Sequence, residues 1–483
     1  LLTQCATAIA SGHASPAEAN LHRPLDIKLL LSGNFGELRN NHFHSGLDFK
    51  TGGITGYKVY CAADGYVSRV LVSPWGFGLA VYVTHPALGL TTVYGHLSSF
   101  SDKIKTSVRK RQYSDETFRV DMEFQPNQVP VKRGEVIAFS GNSGSSGGPH
   151  LHMDVRDTET EEPIDPMPYF KSLIVDKAAP EVRSITLYPR QGLVDGGVEA
   201  ATRTPAATSR PFKAWGRVVP GIKAYDRMTG TTNIYGVKYL TLTVDGKQVY
   251  RRVTDRFSFD NTRALNTIID YPSRIKANSW TMITAVPSSR PLGSMIEAVD
   301  DGVLTINESR EYKCRFTLED EHGNVTVQDF TIIGQRQPVP KTMPLGDKIE
   351  WYKEKQLQKD GAEFLFPAGC FYEDTNITLS SIPTSAYKSD MYLIGNADIP
   401  LAKSFEMRLP AIVENFYDKR QYCVVRIDGK KKTAIGGTYA DGKITATANR
   451  LGRYAVTIDT KAPTITPVTP LKWNSKGVIR LKI

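Results

Sequence analysis

The chain has 483 residues, of which 40% are hydrophobic and 23% charged, and its formal net charge is +10 with a pI near 9.1. This composition is typical of globular protein, and the length predicts several domains. No later run of about 18 apolar residues occurs, which argues against a membrane span. The five cysteines show no CxxC spacing, which argues against a cysteine metal site.

The first residues resemble the end of a secretory leader. The chain begins without methionine, and Leu1–Ala10 contains alanine-rich cleavage-like sites that end at Ala10 or Ala14. We therefore assign residues 1–22 to a leader and expect an exported protein in the periplasm, the cell envelope or the extracellular space. Lipidation of Cys5 is the alternative, and Gln4 is an unfavourable residue before a lipidated cysteine.

Six of the nine histidines lie between His42 and His152. Side chains two or four positions apart in a strand share a face, so an HxxxD and an HxH pattern can each present ligands to one point. A hydrolytic zinc ion needs about three N or O ligands and one open position. His44, Asp48 and His152 would supply such a site for one zinc ion per chain. The helical HExxH pattern is absent.

Ordered sequence blocks surround these residues over about 30–170, and together they resemble the lysostaphin-type (LytM-type) zinc metallopeptidases, bacterial enzymes that cut peptide bonds in peptidoglycan. The blocks are Asn34–Arg39, His44–Asp48, Ala63–Val67, Val83–His85, Tyr94–Leu97, Gly134–Ile137, Gly141–Gly144 and Gly148–His152. The resemblance implies an antiparallel β metallopeptidase domain over 23–172.

The resemblance makes His44, Asp48 and His152 the zinc ligands, and leaves His96 and His150 unligated beside the metal-bound water. One imidazole would take a proton from that water and the other, once protonated, would stabilise the oxyanion. The sequence leaves open which histidine has which role. His42 belongs to a second HxH pattern, but only His44 has an aspartate four residues on.

The glycine-rich run Gly141–Gly148 lacks the Gly-Lys-Ser/Thr ending of a P-loop and leads into a strand. We interpret it as a flexible lip over a substrate groove, because glycine permits close backbone approach. Asn34, Arg39 and Asn142 are the expected substrate contacts. Met153-Asp154 stands where many relatives have Phe-Glu.

Basic residues over Lys103–Arg111 predict the solvated face of a short helix rather than a dedicated binding patch. The positive net charge nevertheless suits an anionic partner. For an exported protein we expect peptidoglycan and other anionic envelope polymers, and no nucleic acid.

Beyond residue 175 the chain consists of short β-type runs. Two hairpins are predicted, one turning at Asp245-Gly246 and one at Gly323-Asn324. A helical period is indicated only around Lys348–Gln358. Cys370 and Cys423 could pair, or could both stay reduced.

The predicted fold class is mainly β, with a metallopeptidase domain followed by β-sandwich modules. We expect an immunoglobulin-like sandwich over 176–335, a second β-rich module over 340–458 and the start of an incomplete third module over 459–483. The sequence does not identify what these modules bind.

Two classes of function fit the chain. The first is an exported zinc endopeptidase that hydrolyses stem peptides or crosslinks of peptidoglycan through a zinc-activated water. The alternative is a non-catalytic cell-wall regulator of the same fold that activates amidases. Such branches lose zinc ligands, whereas this chain keeps all five site residues. A secreted peptidase acting on ordinary proteins is a third interpretation.

Overall fold

The computed structural model describes residues 13–341, 343–414, 417–462, 464–468 and 481–482. Contacts divide the chain into two compact units, residues 1–341 and 342–483. Most of the regular structure is antiparallel sheet, which confirms the predicted mainly β fold class. Among the described residues, no helix has both the length and the apolar character needed to cross a bilayer.

Residues 13–174 contain two larger sheets, a two-stranded ribbon of β2 and β3, and three helices. Their elements are α1 (Pro16–Ala19), β1 (Leu31–Gly33), β2 (Leu38–Arg39), β3 (His42–Phe43), β4 (Leu47–Lys50), β5 (Lys58–Tyr60), β6 (Gly65–Val72), β7 (Leu79–His85), β8 (Leu90–Gly95), β9 (Ser99–Phe100), α2 (Asp102–Ser114), β10 (Val120–Glu123), β11 (Pro130–Val131), β12 (Val136–Phe139), β13 (His150–Asp157), β14 (Pro163–Ile164) and α3 (Met167–Phe170). The larger sheet runs in the order β1-β4-β13-β8-β7-β6-β10, and the smaller runs β5-β12-β9.

The hydrophobic core takes residues from both of these sheets, and β13 shows how the sequence builds it. Leu151, Met153 and Val155 belong to the core, and the alternating residues of β13 point to the opposite face because side chains alternate along a strand. Helix α2 adds Ile104 and Val108 to the core. The rest of α2 is mainly exposed, as expected for the basic segment.

The packed part of the first segment begins earlier than residue 23, the boundary predicted from the sequence. Ala19 and Leu21 belong to the core, and the Ala14 backbone N–H donates to the Leu88 carbonyl. The predicted leader therefore overlaps the folded domain over residues 14–22. Residues 1–12, including Cys5, lie outside the described residues.

Residues 176–341 belong to the same compact unit. Their elements are β15 (Glu181–Val194), β16 (Ala201–Arg203), β17 (Phe212–Tyr225), β18 (Tyr239–Val244), β19 (Lys247–Val253), α4 (Tyr271–Ala277), β20 (Met282–Ile283), β21 (Ile296–Ala298), β22 (Leu304–Ile306), β23 (Glu311–Glu319) and β24 (Val325–Gly334), with short 3-10 helices at Pro205–Ala207, Phe259–Thr267 and Asp300–Gly302.

Both predicted hairpins are present in this segment. Strands β18 and β19 meet at Asp245 and Gly246, both of which have positive φ, and β23 pairs with β24. Hydrogen bonds join the strands of this segment into a single ten-stranded sheet. The immunoglobulin-like assignment of 176–335 stays a prediction.

Two loop residues of the segment 176–341, Phe257 and Gly236, contact the loop that precedes β4. Phe257 is 3% exposed, and its ring lies 5.2 Å from the ring of Phe35 and 5.3 Å from that of Phe43. The Asn34 side chain donates to the Gly236 carbonyl at 2.8 Å and accepts from the Gly236 N–H at 2.9 Å. This second segment therefore fixes the position of the loop 34–43.

The carboxylates of Asp176, Asp226 and Asp320 lie close together within the segment 176–341. Asp226 is 4% exposed, and burial together with the nearby charges of Asp320 and Asp176 raises its pKa to about 8, although the backbone N–H of Arg227 donates to it. Asp226 is therefore largely protonated near neutral pH in the folded protein.

The second unit is built mainly from two five-stranded sheets, β26-β27-β31-β35-β34 and β29-β30-β36-β32-β33. Its strands are β25 (Asp347–Ile349), β26 (Lys355–Lys359), β27 (Ala362–Phe366), β28 (Thr375–Ile377), β29 (Leu379–Ile382), β30 (Met391–Ile394), β31 (Phe405–Pro410), β32 (Tyr422–Asp428), β33 (Lys431–Gly436), β34 (Thr438–Ala440), β35 (Lys443–Ala448), β36 (Gly452–Ile458), β37 (Thr466–Pro467) and β38 (Leu481–Lys482), with a 3-10 turn at Lys419–Gln421.

Two expectations for this unit are settled by its strands and cysteines. The helical period at Lys348–Gln358 is wrong, because β25 and β26 occupy most of that stretch. No disulfide joins Cys370 to Cys423, and the Cys370 thiol donates to the Lys403 carbonyl. Most of the expected third module lies outside the described residues.

Candidate metal centre

Three potential ligands meet where β4 and β13 pair. His152 lies directly opposite Asp48 in the strand register, and His44 comes just before β4. Asp48 Oδ1 lies 3.0 Å from His44 Nε2 and 2.8 Å from His152 Nδ1, and these two nitrogens are 3.1 Å apart. All three side chains are buried. The structure therefore brings together the three residues that the sequence proposed as ligands.

The outer nitrogens of both histidines are held by oxygen acceptors. His44 Nδ1–H donates to the Asn34 carbonyl at 2.7 Å, and His152 Nε2–H donates to the Asp154 carboxylate at 2.6 Å. A carbonyl only accepts, and an ionised carboxylate likewise, so each ring carries its proton on the outer nitrogen. The inner nitrogens face each other and Asp48 Oδ1, so a cation bound between them would meet three potential ligand atoms. This donor set, with two imidazole nitrogens and one carboxylate oxygen, suits zinc.

His150 and His96 lie beside these three residues, and in each ring Nδ1 is held by a backbone carbonyl. His150 Nδ1–H donates to the Gly148 carbonyl at 2.8 Å, and His96 Nδ1–H donates to the Ser143 carbonyl at 2.8 Å. The two ring centroids are 4.8 Å apart, and His150 Nε2 lies 3.4 Å from Asp48 Oδ1. In each ring Nδ1 is engaged by a backbone carbonyl, which leaves Nε2 as the ring nitrogen available to the site.

The backbone of His96 is in the left-handed region, with φ of 58°. This conformation is uncommon for a residue other than glycine, and it persists only where the surroundings hold it. Here the His96 N–H donates to the Phe77 carbonyl at 2.7 Å. Burial, with the nearby His152, lowers the pKa of His96 to about 4.

Asp48 is ionised despite its burial. Burial alone would raise its pKa, but His44, His150 and His152 around it hold the pKa well below its usual range. Arg39 Nη2–H donates to the second carboxylate oxygen, Oδ2, at 2.6 Å. The predicted substrate contact Arg39 thus contacts a candidate ligand directly.

Asn34 and Asn142, the other residues predicted to contact substrate, do not contact the candidate ligands through their side chains. The side chain of Asn34 is engaged by Gly236, so the structure does not leave it facing a groove, and its backbone carbonyl is what contacts His44. Asn142 is exposed in the glycine-rich loop. His42 is also exposed, and its ring contacts the carbonyl of Asn40 rather than the metal-site residues.

The glycine-rich loop is anchored over its first half rather than being a wholly flexible lip. The Ser145 N–H donates to the Gly76 carbonyl at 2.8 Å, and Gly144 has φ of 71°. A Cβ atom on Gly144 would lie 2.3 Å from the Gly78 nitrogen, so only glycine fits there without a shift. The second half is more open, since a Cβ atom on Gly147 would have no neighbour within 4 Å.

Asp154 and Arg156 are the next two polar residues on the site face of β13, and no sequence motif had indicated a role for them. Asp154 is fully buried and accepts from Ser45 Oγ at 2.9 Å and from Arg156 Nη2 at 2.6 Å. The Arg156 guanidinium lies over the Phe259 ring at 4.7 Å. The alternation of His, His, Asp and Arg along β13 was the available signal. Strand β13 is buried on both faces, and Phe259 from the second segment covers part of the polar face.

Comparisons with known proteins match part of this chain. The catalytic domain of lysostaphin from Staphylococcus simulans is 23% identical, with 29% of this chain and 88% of that chain covered and a TM-score of 0.21. A DD-carboxypeptidase/endopeptidase Mpg of Neisseria meningitidis serogroup B is 32% identical over 124 residues, which are 26% of this chain and 22% of the relative. An uncharacterized metalloprotease of Haemophilus influenzae is 36% identical over 111 residues, 23% of this chain and 18% of the relative.

Part of the chain is therefore similar to a DD-carboxypeptidase/endopeptidase and to a metalloprotease. The chain covers only about a fifth of the length of these two curated relatives. In the second unit, residues 347–459 match the family described as the Zu5-like domain. That match covers both five-stranded sheets of the unit.

Proposed function

We propose that this protein is an exported zinc endopeptidase that hydrolyses stem peptides or crosslinks of bacterial peptidoglycan. The observation that carries the proposal is the set of four imidazoles around Asp48, each with one ring nitrogen held by an oxygen acceptor. The DD-carboxypeptidase and endopeptidase activities in the name of the Neisseria relative support a peptide substrate that contains D-amino acids.

His44, Asp48 and His152 would hold one zinc ion per chain. Bound there, zinc would polarise a scissile carbonyl and lower the pKa of water from 15.7 to about 7. The Asn34 carbonyl and the Asp154 carboxylate fix the ring orientations of His44 and His152. Arg39, bonded to Asp48 Oδ2, leaves Oδ1 as the oxygen nearest the histidine nitrogens.

His96 and His150 would carry out the proton transfers. An unprotonated Nε2 can accept a proton from the attacking water and then deliver one to the leaving amine. The other imidazole, once protonated, can donate a hydrogen bond to the oxyanion of the tetrahedral intermediate. Because Ser143 and Gly148 hold the Nδ1 atoms, both rings present Nε2 to the same side.

The proposal also covers the partners of the protein and one substrate contact. The net charge of +10 favours anionic envelope polymers as partners of an exported protein. Asn142, exposed in the glycine-rich loop beside the residue that holds His96, is our proposed substrate contact.

Digestion of purified crosslinked peptidoglycan tests the proposal, with the products identified by mass spectrometry. We expect the wild type and His42→Ala to convert crosslinked muropeptides to smaller products whose masses identify the bond. His42 is the matched control, because it belongs to the other HxH pattern and is exposed. His150→Ala and His96→Ala should each lose about 10²- to 10⁴-fold in rate.

Two other results would redirect the assignment. If the wild type binds zinc but cuts no muropeptide, the protein is better explained as a cell-wall regulator, and its effect on amidases becomes the next assay. If it cuts ordinary proteins but not muropeptides, the substrate class is wrong.

A further inference from the structure

Asp176, Asp320 and His322 form a second group of potential metal ligands, within the segment 176–341. One ligand atom from each of them lies within 4.8 Å of the other two. Oxygen ligands lie about 2.3–2.6 Å from calcium, so atoms at these separations can share one cation. The three residues line a small cavity of about 20 Å³. Because one water molecule needs roughly 10–15 Å³ of such space, the cavity has room for a single ion and not for an organic ligand.

Neutral backbone groups orient two of these side chains. Asp176 Oδ1 accepts from the N–H groups of Ala178 at 3.0 Å and Thr229 at 2.9 Å, and no hydrogen-bond donor among the described residues reaches Oδ2. His322 Nε2–H donates to the Ile174 carbonyl at 2.8 Å, which leaves Nδ1 as the ring nitrogen available to the group. Each side chain is therefore held in place with one potential ligand atom available.

A third carboxylate, that of Asp226, lines the same cavity and is buried. Its Oδ1 accepts from the Arg227 N–H at 2.8 Å, and no donor in the described part of the chain reaches its Oδ2. An ionised carboxylate in this position is costly, because its lost hydration is not replaced. In the cation-free protein, burial and the charges of Asp320 and Asp176 consequently raise the pKa of Asp226 to about 8. A bound cation would supply the missing partner.

The basic residues around the cavity do not neutralise these carboxylates. Lys238 is the one lysine or arginine among the residues that line it, and its ammonium group is bonded to Asp165 at 2.7 Å and to Glu321. The Arg227 guanidinium pairs with Glu181 instead. Within the described ranges, no lysine or arginine forms an ion pair with Asp176, Asp226 or Asp320. The local excess of negative charge therefore favours a cation over a water molecule in the cavity.

The donor set indicates the class of cation. Carboxylate oxygens suit calcium, magnesium and manganese, whereas sites rich in imidazole suit zinc. This group has one imidazole, and the proposed zinc centre has two ligand imidazoles. We propose that Asp176, Asp320 and His322 bind a second divalent cation of the oxygen-preferring class, calcium or manganese, with Asp226 beside it. The proposal rests on these residues alone and does not depend on the hydrolytic activity.

The cation would join parts of the first unit that are distant in sequence. Asp176 precedes β15, Asp226 follows β17, and the turn between β23 and β24 supplies the other two ligands. Asn34 lines the same cavity, and its carbonyl is the acceptor that orients His44. The ion would therefore stabilise the contact between the second segment and the loop that supports the proposed zinc centre.

Manganese titration of the full chain, preloaded with one equivalent of zinc, tests this proposal, and the electron paramagnetic resonance signal of free manganese measures the binding. We expect about one manganese ion to bind per chain. Asp176→Asn keeps an oxygen for the Ala178 and Thr229 donors but loses the negative charge. It should weaken manganese binding by at least about 10-fold, since even changes behind a metal ligand cost about 10- to 100-fold in affinity. Asp329→Asn is the matched control, because Asp329 lies on β24 in an exposed pair with Arg315.

Thermal unfolding separates loss of the ion from loss of the fold. Without manganese, Asp176→Asn should unfold at about the wild-type temperature, because it relieves repulsion among the buried carboxylates. Manganese should raise the unfolding temperature of the wild type and of Asp329→Asn, and not that of Asp176→Asn. His322→Gln, on a half-buried residue, should also weaken manganese binding while the fold is kept. Competition identifies the natural ion: displacement of manganese by an equimolar amount of calcium assigns the site to calcium, and its absence assigns the site to manganese.

Three outcomes would overturn the proposal. The first is that no manganese binds the zinc-loaded wild type at millimolar concentration. The second is that manganese binds equally well to the wild type and to Asp176→Asn. The third is that His44→Ala, and not Asp176→Asn, removes the bound manganese, which would place the ion at the proposed zinc centre.

Discussion

Asp154 connects the candidate metal centre to the rest of the sheet, and Asp154→Asn tests how much the centre depends on it. The substitution keeps the shape of the side chain and removes its charge. Asp154 is fully buried, holds the outer nitrogen of His152 at 2.6 Å and pairs with Arg156 at 2.6 Å. Removing the charge therefore affects both the orientation of a ligand and the neutralisation of a buried cation.

The two effects have different magnitudes and different assays. Loss of a carboxylate that orients a metal-binding histidine weakens zinc binding by about 10- to 100-fold, which corresponds to about 1.4–2.8 kcal/mol. Leaving Arg156 buried without its partner costs about 3–5 kcal/mol of unfolding free energy. Competition with a chromogenic chelator measures the first effect, and urea unfolding of the zinc-free protein measures the second.

A second substitution separates these effects. Arg156→Met combined with Asp154→Asn should recover most of the unfolding free energy but not the zinc affinity. Asp121→Asn is the control, because Asp121 forms an exposed pair with Arg69 and should change unfolding by at most about 1 kcal/mol. The reasoning is refuted if Asp154→Asn binds zinc as tightly as the wild type.

Three further predictions concern the aromatic packing at Phe257, the glycine-rich loop and the pKa of Asp226. Phe257→Ala removes a buried ring and should lower the unfolding free energy of the first unit by about 3–5 kcal/mol. A loss below about 1 kcal/mol in urea unfolding would show that the aromatic packing does not hold the loop 34–43. Gly144→Ala should lower activity on muropeptides and destabilise the fold by about 1–2 kcal/mol. Gly147→Ala is the control and should be neutral, because the space around Gly147 is open. Equal effects of the two substitutions would contradict the anchoring of the loop at Gly144. Burial raises the pKa of Asp226 from 3.8 to about 8, so between these pH values the folded state holds more protons than the unfolded state. The unfolding free energy should therefore fall as pH rises through that window, by at most about 1.4 kcal/mol per pH unit. Asp226→Asn should flatten that dependence, and an unchanged pH profile of urea unfolding would count against the raised pKa.

The residues of the candidate site could be proposed from the sequence because strand geometry relates spacing to direction. His150 and His152 share a face through alternation along β13, and the pairing of β4 with β13 places Asp48 opposite His152. His44 lies before β4, outside any strand, so the expected strand alternation from His44 to Asp48 is wrong even though the two side chains meet. Hairpins such as that at Asp245-Gly246 were predictable for a similar reason, because a two-residue turn with positive φ restricts the residues it accepts.

The parts that the sequence did not predict depend on contacts between distant segments. Asn34 was expected to contact substrate, but Gly236, about 200 positions away, engages its side chain. Phe259, which lies far from β13 in the sequence, covers Arg156 on the polar face of that strand. At Lys348–Gln358 a helical period competed with strand pairing, and the pairing of β25 with β28 and of β26 with β27 prevailed.

The most direct measurement of the central claim is a zinc titration of the metal-stripped protein, with hydrolysis of crosslinked peptidoglycan as the readout. We predict that the stripped protein is inactive, and that activity rises linearly with added zinc and reaches a plateau at about one zinc ion per chain. The same titration of His44→Ala should give no plateau at that ratio. Hydrolysis by the stripped protein, or equal zinc-dependent activity in His44→Ala, would contradict the account.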